Sequence, residues 1–556
     1  MRRTFLLFAA LLPVLAQERV TIRVDAATAR GPVRPVYSFF GYDEPNYTYM
    51  KDGQKLLTEL AALSPVPVHV RAHNMLTTGD GKAALKWGST NAYTEDANGN
   101  PKYDWTIVDR IFDTYVERKM KPMVEIGFMP EALSTNPQPY RHNWDPSQPY
   151  KSIYTGWAYP PKDYKKWSEL IYQWVKHSVE RYGREEVASW YWEVWNEPNI
   201  PYWQGTPEEY FKLYDYSVDA VKRALPGIRV GGPTSTGPGS PNAAKFLKDF
   251  LEHVVRGKNY ATGKTGSPID YITFHAKGRP KVVDGHVQMG SEFQMRDIDQ
   301  GFAIVASFPE LKKLPILIGE SDPEGCAACS VRFNPQNAYR NGTMYSSYTA
   351  ATFARKFELA ARHGVNFEGA VTWAFECEDQ PYFDGFRDLA TNGIDKPVLN
   401  VFRMMGMMRG NRVDASSSQQ LKLDEMLKGG VKQGGDVGTV ASREANRVNV
   451  MVWFYHDDDV ASPDAQIDLQ VAGIPATASR VLVRHYRVDK DHSNSYTVWQ
   501  QMNSPQKPTA EQYKALEKAG QLAMVGSPAW TPVKAGALTL PFSLPRQGVS
   551  LVQIEW

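Results

Sequence analysis

The eleven residues SWYWEVWNEPN, Ser189 to Asn199, hold three tryptophans, two glutamates and an Asn-Glu-Pro turn. Aromatic and β-branched residues that give way to Asn196, Glu197 and Pro198 read as a buried strand ended by an amide and a carboxylate. A carboxylate in that place either ties down a neighbouring loop or donates a proton to a leaving oxygen. Strand alternation turns Glu193 inward, where a buried acid needs a cation, and Arg71 is a candidate for it.

The run is one of eight. The others are VYSFFGY (Val36 to Tyr42), VHVRAH (Val68 to His73), KPMVEIGF (Lys121 to Phe128), RVGGPTS (Arg229 to Ser235), YITFHAK (Tyr271 to Lys277), PILIGES (Pro315 to Ser321) and GAVTWAFE (Gly369 to Glu376). Between them, stretches such as Trp105 to Arg118, Pro161 to Arg181, Pro207 to Ala224 and Tyr345 to His363 carry apolar residues at helical spacing. Strands alternating with helices predict a (β/α)8 barrel over residues 35–410, with functional side chains at the C-terminal strand ends. Arg71 and His73, Asn196 and Glu197, His275 and Lys277, Glu320, and Trp373 all close their runs.

After Arg409 the pattern changes to short alternating strands divided by Gly and Ser clusters, with one helix-like insert from Thr509 to Ala519. An antiparallel β-sandwich is expected over residues 411–556, joined by a strand from the N-terminal segment 17–34. Residues 1–16 read as an export signal: Met1-Arg-Arg3, the apolar run Thr4 to Leu15, and Val14-Leu-Ala16 with small residues at the cleavage positions before Gln17. The chain is expected to act in a periplasm or outside the cell.

A length of 556 residues calls for two or three domains. Lys and Arg (63) balance Asp and Glu (61), which argues against nucleic acid or an anionic membrane surface as partner. No second long apolar run offers membrane insertion. Aromatics beside polar residues, as in Trp157-Ala-Tyr159, suit a carbohydrate. Cys326 and Cys329 lack the second ligand pair of a structural zinc site, so a local disulfide or a bridge to Cys377 is expected, with no metal and no cofactor.

Glu197 ends the fourth run and Glu320 the seventh, on opposite sides of a closed barrel mouth. Two carboxylates across a sugar-sized gap are the apparatus of glycoside hydrolysis, one donating a proton and the other attacking the anomeric carbon. Arg71 would keep Glu320 ionised. Trp195-Asn-Glu-Pro198 and Leu317-Ile-Gly-Glu320 resemble the acid/base and nucleophile strands of retaining barrel glycosidases, and the chain resembles glycoside hydrolase family 39. GYDEPNYTYMKDG (Gly41 to Gly53) is similar to its β-xylosidases; DYITFHAKG (Asp270 to Gly278) and KPTAEQY (Lys507 to Tyr513) are similar to its α-L-iduronidases. The resemblance implies Glu197 as acid/base, Glu320 as nucleophile, Asn196 as donor to the 2-hydroxyl, and His73, His275 and Lys277 as sugar contacts. Trp373 is expected as a sugar platform, and Glu376 and Glu378 as loop caps.

A β-D-xyloside and an α-L-iduronide share ring configuration from C1 to C4 and differ at C5, where the iduronide carries a carboxylate. Lys277 could read that carboxylate or be balanced by a protein acid such as Asp395, Glu378 or Asp379. The iduronidase branch has Arg where this chain has Asp395, so the expected activity is a retaining exo-β-xylosidase. The alternatives are an iduronidase-like or other uronide-cleaving enzyme, and a carbohydrate-binding protein that has lost catalysis.

Overall fold

The computed structural model describes residues 19–140 and 156–556. The expected export signal lies outside the described residues. Eight parallel strands close into a barrel in chain order: Phe39–Tyr42, His69–Ala72, Lys121–Ile126, Tyr191–Val194, Arg229–Ser235, Tyr271–Lys277, Pro315–Asp322 and Asn366–Trp373. All eight expected runs are present, four of them ending earlier than their apolar character suggests. His73, Asn196 and Glu197 therefore stand just past their strands, on the loops of the mouth.

Helix boundaries follow local chemistry. The helix Pro207–Ala224 opens on a capping box in which Thr206 and Glu209 satisfy each other's backbone, with Pro207 in the first turn. Asp163 caps Tyr164–Tyr182 by accepting from the backbone of Lys165 and Lys166. The apolar faces of these helices and Trp167, Trp174, Trp190 and Trp192 form one continuous barrel core.

Residues after the barrel form one ten-stranded sheet that also takes in the N-terminal strand Val20–Pro32. That strand pairs antiparallel with Asn411–Ser417 and parallel with Ala465–Ala472, so the sheet is mixed where an antiparallel one was expected. Val20, Ile22 and Val24 share a core with Val448, Val450, Val452, Ile467 and Leu469. Met451, Trp453 and Tyr455, on the other face of the strand Arg447–Tyr455, join the barrel core instead. This is why that strand reads as an unbroken apolar run: it is buried on both faces. The insert Ala510–Ala519 is capped by Thr509 and reaches back to the barrel, where the Tyr513 hydroxyl donates to the Asn392 carbonyl at 3.1 Å.

Of the disulfide alternatives, Cys326 and Cys329 bridge each other and Cys377 is a free thiol. Arg340 donates to the carbonyls of Ala327 and Cys329, each at 3.2 Å, and so fixes this loop after the seventh strand. Glu376 and Glu378 do cap, accepting from the backbone N–H of Asn392 (2.6 Å) and Asp52 (2.9 Å). Among the described residues no helix is long and apolar enough to cross a membrane.

Candidate active site

Adjacent residues on a strand face opposite ways, yet Asn196 and Glu197 both reach the barrel mouth. The backbone shows how. Trp195 and Glu197 take left-handed conformations, φ 70° and 46°, on either side of Asn196. Each costs roughly 1–3 kcal/mol and is held by its surroundings. The Glu197 N–H donates to Thr234 O at 2.9 Å, and Thr234 Oγ1 donates to Trp195 O at 3.0 Å.

Glu197 and Glu320 face one another as their strand positions require. One oxygen of each and a ring nitrogen of His275 lie within 4.8 Å of one another. His275 Nδ1 is 2.8 Å from Glu197 Oε1. Glu320 is surrounded by cations: Lys277 Nζ donates to Oε2, while Arg71 Nη1 (3.3 Å) and His73 Nε2 (3.5 Å) approach Oε1. Burial would raise this carboxyl, but Lys277, His275 and His73 hold it well below the usual range. Glu320 is therefore an ionised, buried carboxylate. Glu197, His275 and Glu320 also have the spacing of a cation cluster, but these protein cations already neutralise Glu320.

Beneath the pair, Arg71 is fully buried and serves several partners. Its Nε donates to Glu193, its Nη2 approaches Glu125 Oε2 at 2.8 Å, and Nη2 also donates to Asn196 Oδ1 at 3.0 Å. Arg71 thus pairs with Glu193 and supports Glu320 at once. By engaging Oδ1 it leaves the Asn196 amide nitrogen as the available donor. Burial, reinforced by Glu193 and Glu320, pushes the Glu125 carboxyl up to about 7 against the pull of His73 and Arg71.

His73 is held from both ring nitrogens, Nδ1 at 2.8 Å from Asp43 Oδ1 and Nε2 at 3.2 Å from Glu125 Oε2. Burial favours the neutral ring, but Glu125, Asp43 and Glu320 outweigh it and raise the imidazole to about 9. Arg71 Nη1 also lies 2.9 Å from Nε2. With the ring charged, that approach is held by the shared carboxylates and not by a hydrogen bond. The ring's folded pKa lies above its unfolded value, so its stabilisation is complete below about pH 6.5 and is lost as pH rises through about 9. Urea midpoints from pH 6 to 10 should fall more steeply for wild type than for His73→Gln. Parallel curves would remove the imidazolium from the account.

A cavity of about 280 Å³ opens over these groups. Asn196, Glu197, His73, Lys277 and Glu320 line it. Arg71, His275 and Trp373 do not; they stand behind the wall. His275 is fully buried and touches Glu197 instead of the space a sugar would fill. Trp373 is 1% exposed and departs from the expected platform. It pairs in register with Gly41, where a Cβ would collide with its ring, and Gly41 pairs with Arg71. The ring crosses the gap left by the glycine to lie 4.8 Å from the Arg71 guanidinium carbon and 4.3 Å from the His73 ring. It backs the charged layer.

The expected partners of Lys277 are also corrected. Asp395 is paired with Arg403 at 2.7 Å and, like Glu378 and Asp379, does not line the cavity. The acids beside Lys277 are Glu320 and Asp322, the second at 3.5 Å. Asp395 is thus spent outside the site and has no means of repelling a uronate.

The structure adds Asp43 and Lys86. Lys86 Nζ donates to Asp43 Oδ2 at 2.5 Å, and its backbone, at φ 62°, is pinned by Glu44 Oε1 accepting from its N–H at 2.6 Å. Asp43 directly follows the first run, a signal the sequence did contain. Lys86 sits in a long loop and carries none.

The sequence matches "Glycosyl hydrolases family 39" over residues 21–531. The chain belongs to glycosyl hydrolase family 39. As a family 39 member it is a glycosidase. It is 26% identical to a β-xylosidase from Geobacillus stearothermophilus over 473 residues, covering 83% of this chain and 82% of that one. It is 24% identical to an α-L-iduronidase from Mus musculus over 593 residues, covering 99% and 83%. A monomeric β-xylosidase from Caulobacter crescentus CB15 superposes with a TM-score of 0.73 at 23% identity, covering 96% of this chain and 99% of that one, which shows the shared fold.

Proposed function

We propose that this family 39 glycosidase is exported and releases xylose from the ends of β-D-xylosides with retention of configuration. The carboxylate spacing carries the mechanism. One oxygen of each within 4.8 Å of the other favours the roughly 5–5.5 Å carboxyl separation of double displacement over the about 6.5–9.5 Å of an inverting pair, which must hold a water between them. Ionised Glu320 attacks C1 while Glu197 gives its proton to the departing oxygen. A water then attacks C1 of the glycosyl ester, Glu197 takes its proton, and Glu320 is restored as the β-sugar leaves.

The charge balance of the inner end supports a neutral sugar. That end is closed: Asp43, His73 and Lys86 are 1%, 3% and 6% exposed. A closed end suits a terminal residue. Lys86 is neutralised by Asp43, and Lys277 by Glu320 and Asp322, so no inner cation is left to meet a C5 carboxylate. The leader-like sequence of residues 1–16 and the Cys326–Cys329 bridge support export to an oxidising compartment.

Aryl β-D-xylosides and aryl α-L-iduronides of one leaving group test the reading. The xyloside should be cleaved at least about tenfold faster in kcat/KM, a difference of about 1.4 kcal/mol. Lys277→Ala should slow both sugars alike, because it strips a cation from the nucleophile. A faster iduronide whose advantage disappears in Lys277→Ala would reverse the ranking.

A further inference from the structure

Beyond its buried inner end the cavity is lined by Thr236, Ser240, Asp297 and Arg279, on the segments that follow the fifth and sixth strands, where half-buried Thr236 and Ser240 and exposed Arg279 bring it to the surface. This wall belongs to the acid/base side. Asn199, two residues after Glu197, donates from Nδ2 to Thr236 Oγ1 at 2.6 Å, and its Oδ1 accepts from the Thr236 N–H at 2.9 Å. Arg279 is exposed at the rim. A terminal sugar in the closed end, with its departing oxygen at Glu197, sends the rest of the substrate out along this wall.

The cations lining the cavity are not equally matched. Lys86 has Asp43, Lys277 has Glu320 and Asp322, and His73 has Asp43, Glu125 and Glu320. Arg279 has no carboxylate within 4.0 Å among the described residues; its guanidinium carbon lies 4.5 Å from the Phe293 ring centre. Asp297, the acid on the same wall, spends its oxygens on backbone, accepting from Gly239 N at 2.9 Å and Lys277 N at 3.0 Å. Asp297 attracts Arg279 only through space, so among the described residues Arg279 is the one lining cation with no carboxylate in ion-pair contact. It stands on the exit wall, a planar fork suited to a carboxylate or sulfate.

We infer that Arg279 selects substrates whose leaving group carries an acid, such as a uronate-bearing sugar. The inference rests on the closed end holding the terminal sugar. The Phe293 ring under the guanidinium steadies it and leaves its edge to the ligand. Because the site is open to water, the gain is that of an exposed ion pair, about threefold to fivefold, and it diminishes as salt screens it.

A matched pair of aryl glycosides isolates the effect: one leaving group bearing a para-carboxymethyl substituent, the other its methyl ester. The pair is built on whichever glycone the enzyme cleaves, so failure on xylosides counts against the proposed sugar and leaves the ratio readable on the iduronide. In kcat/KM, wild type should favour the acid over the ester about threefold to fivefold at 20 mM salt and near equally at 500 mM. Arg279→Gln should bring the low-salt ratio to about one, and Arg279→Lys should restore part of it. A wild-type ratio of one or below, or a preference that survives in Arg279→Gln, would overturn the inference.

Discussion

Glu320→Ala should abolish turnover on every substrate, whereas Glu197→Ala should remain active on glycosides whose leaving group departs without a proton. The asymmetry follows from the neighbours of each carboxylate. Glu320 is held ionised by Lys277, His275, His73 and Arg71 and is positioned to form a bond to carbon. Glu197 faces the exit wall and has His275 against one oxygen. Losing its proton should cost roughly 10²–10⁴-fold on poor leaving groups and far less on activated aryl glycosides. Added azide should rescue Glu197→Ala by attacking the glycosyl ester, giving a β-glycosyl azide. Equal, unrescued loss in both variants would leave the two roles unsupported.

Replacing Arg71 should damage both stability and activity. Its guanidinium lies among Glu125, Glu193 and Glu320 in a region closed to water, so Arg71→Met leaves buried carboxylates without their shared cation. Breaking a buried ion pair from one side costs about 3–5 kcal/mol. The same change releases Asn196 Oδ1 and exposes one face of Trp373, so turnover should fall as well. Arg71→Lys should recover charge but not the several-pronged geometry, and lie between. Denaturant midpoints and kcat for the three proteins decide this. Wild-type stability in Arg71→Met would show that the carboxylates there are balanced by protonation alone.

The barrel was legible because its strands are buried on both faces and read as apolar runs, and because strand ends are where polar residues gather. That logic located Glu197 and Glu320 and the layer beneath them. It reached its limit with side-chain direction. His275 and Trp373 close their runs like true lining residues, but one turns to Glu197 and the other crosses Gly41 to reach Arg71. Strand alternation does not encode a ring spanning a neighbour's missing Cβ. Nor does it reveal charge partners distant in sequence. Asp395 is one of three acids the sequence offers as a partner for Lys277, yet Arg403 holds it, and Lys277 meets Glu320 instead. Lys86 and Arg279 stand on loops whose course only the folded chain defines, and with them the contrast between the ion-paired cations of the inner end and the unpaired one on the exit wall.

Glu320 is proposed to form the covalent bond to the sugar. An aryl 2-deoxy-2-fluoro-β-xyloside with a strongly activated leaving group slows release of the ester more than its formation, so the adduct can be digested and sequenced by mass spectrometry. One fluoroxylosyl group is expected on the peptide containing Glu320, with β-xylose as the first product from an ordinary xyloside. An adduct on Glu197, or α-xylose released first with no adduct, would contradict that role.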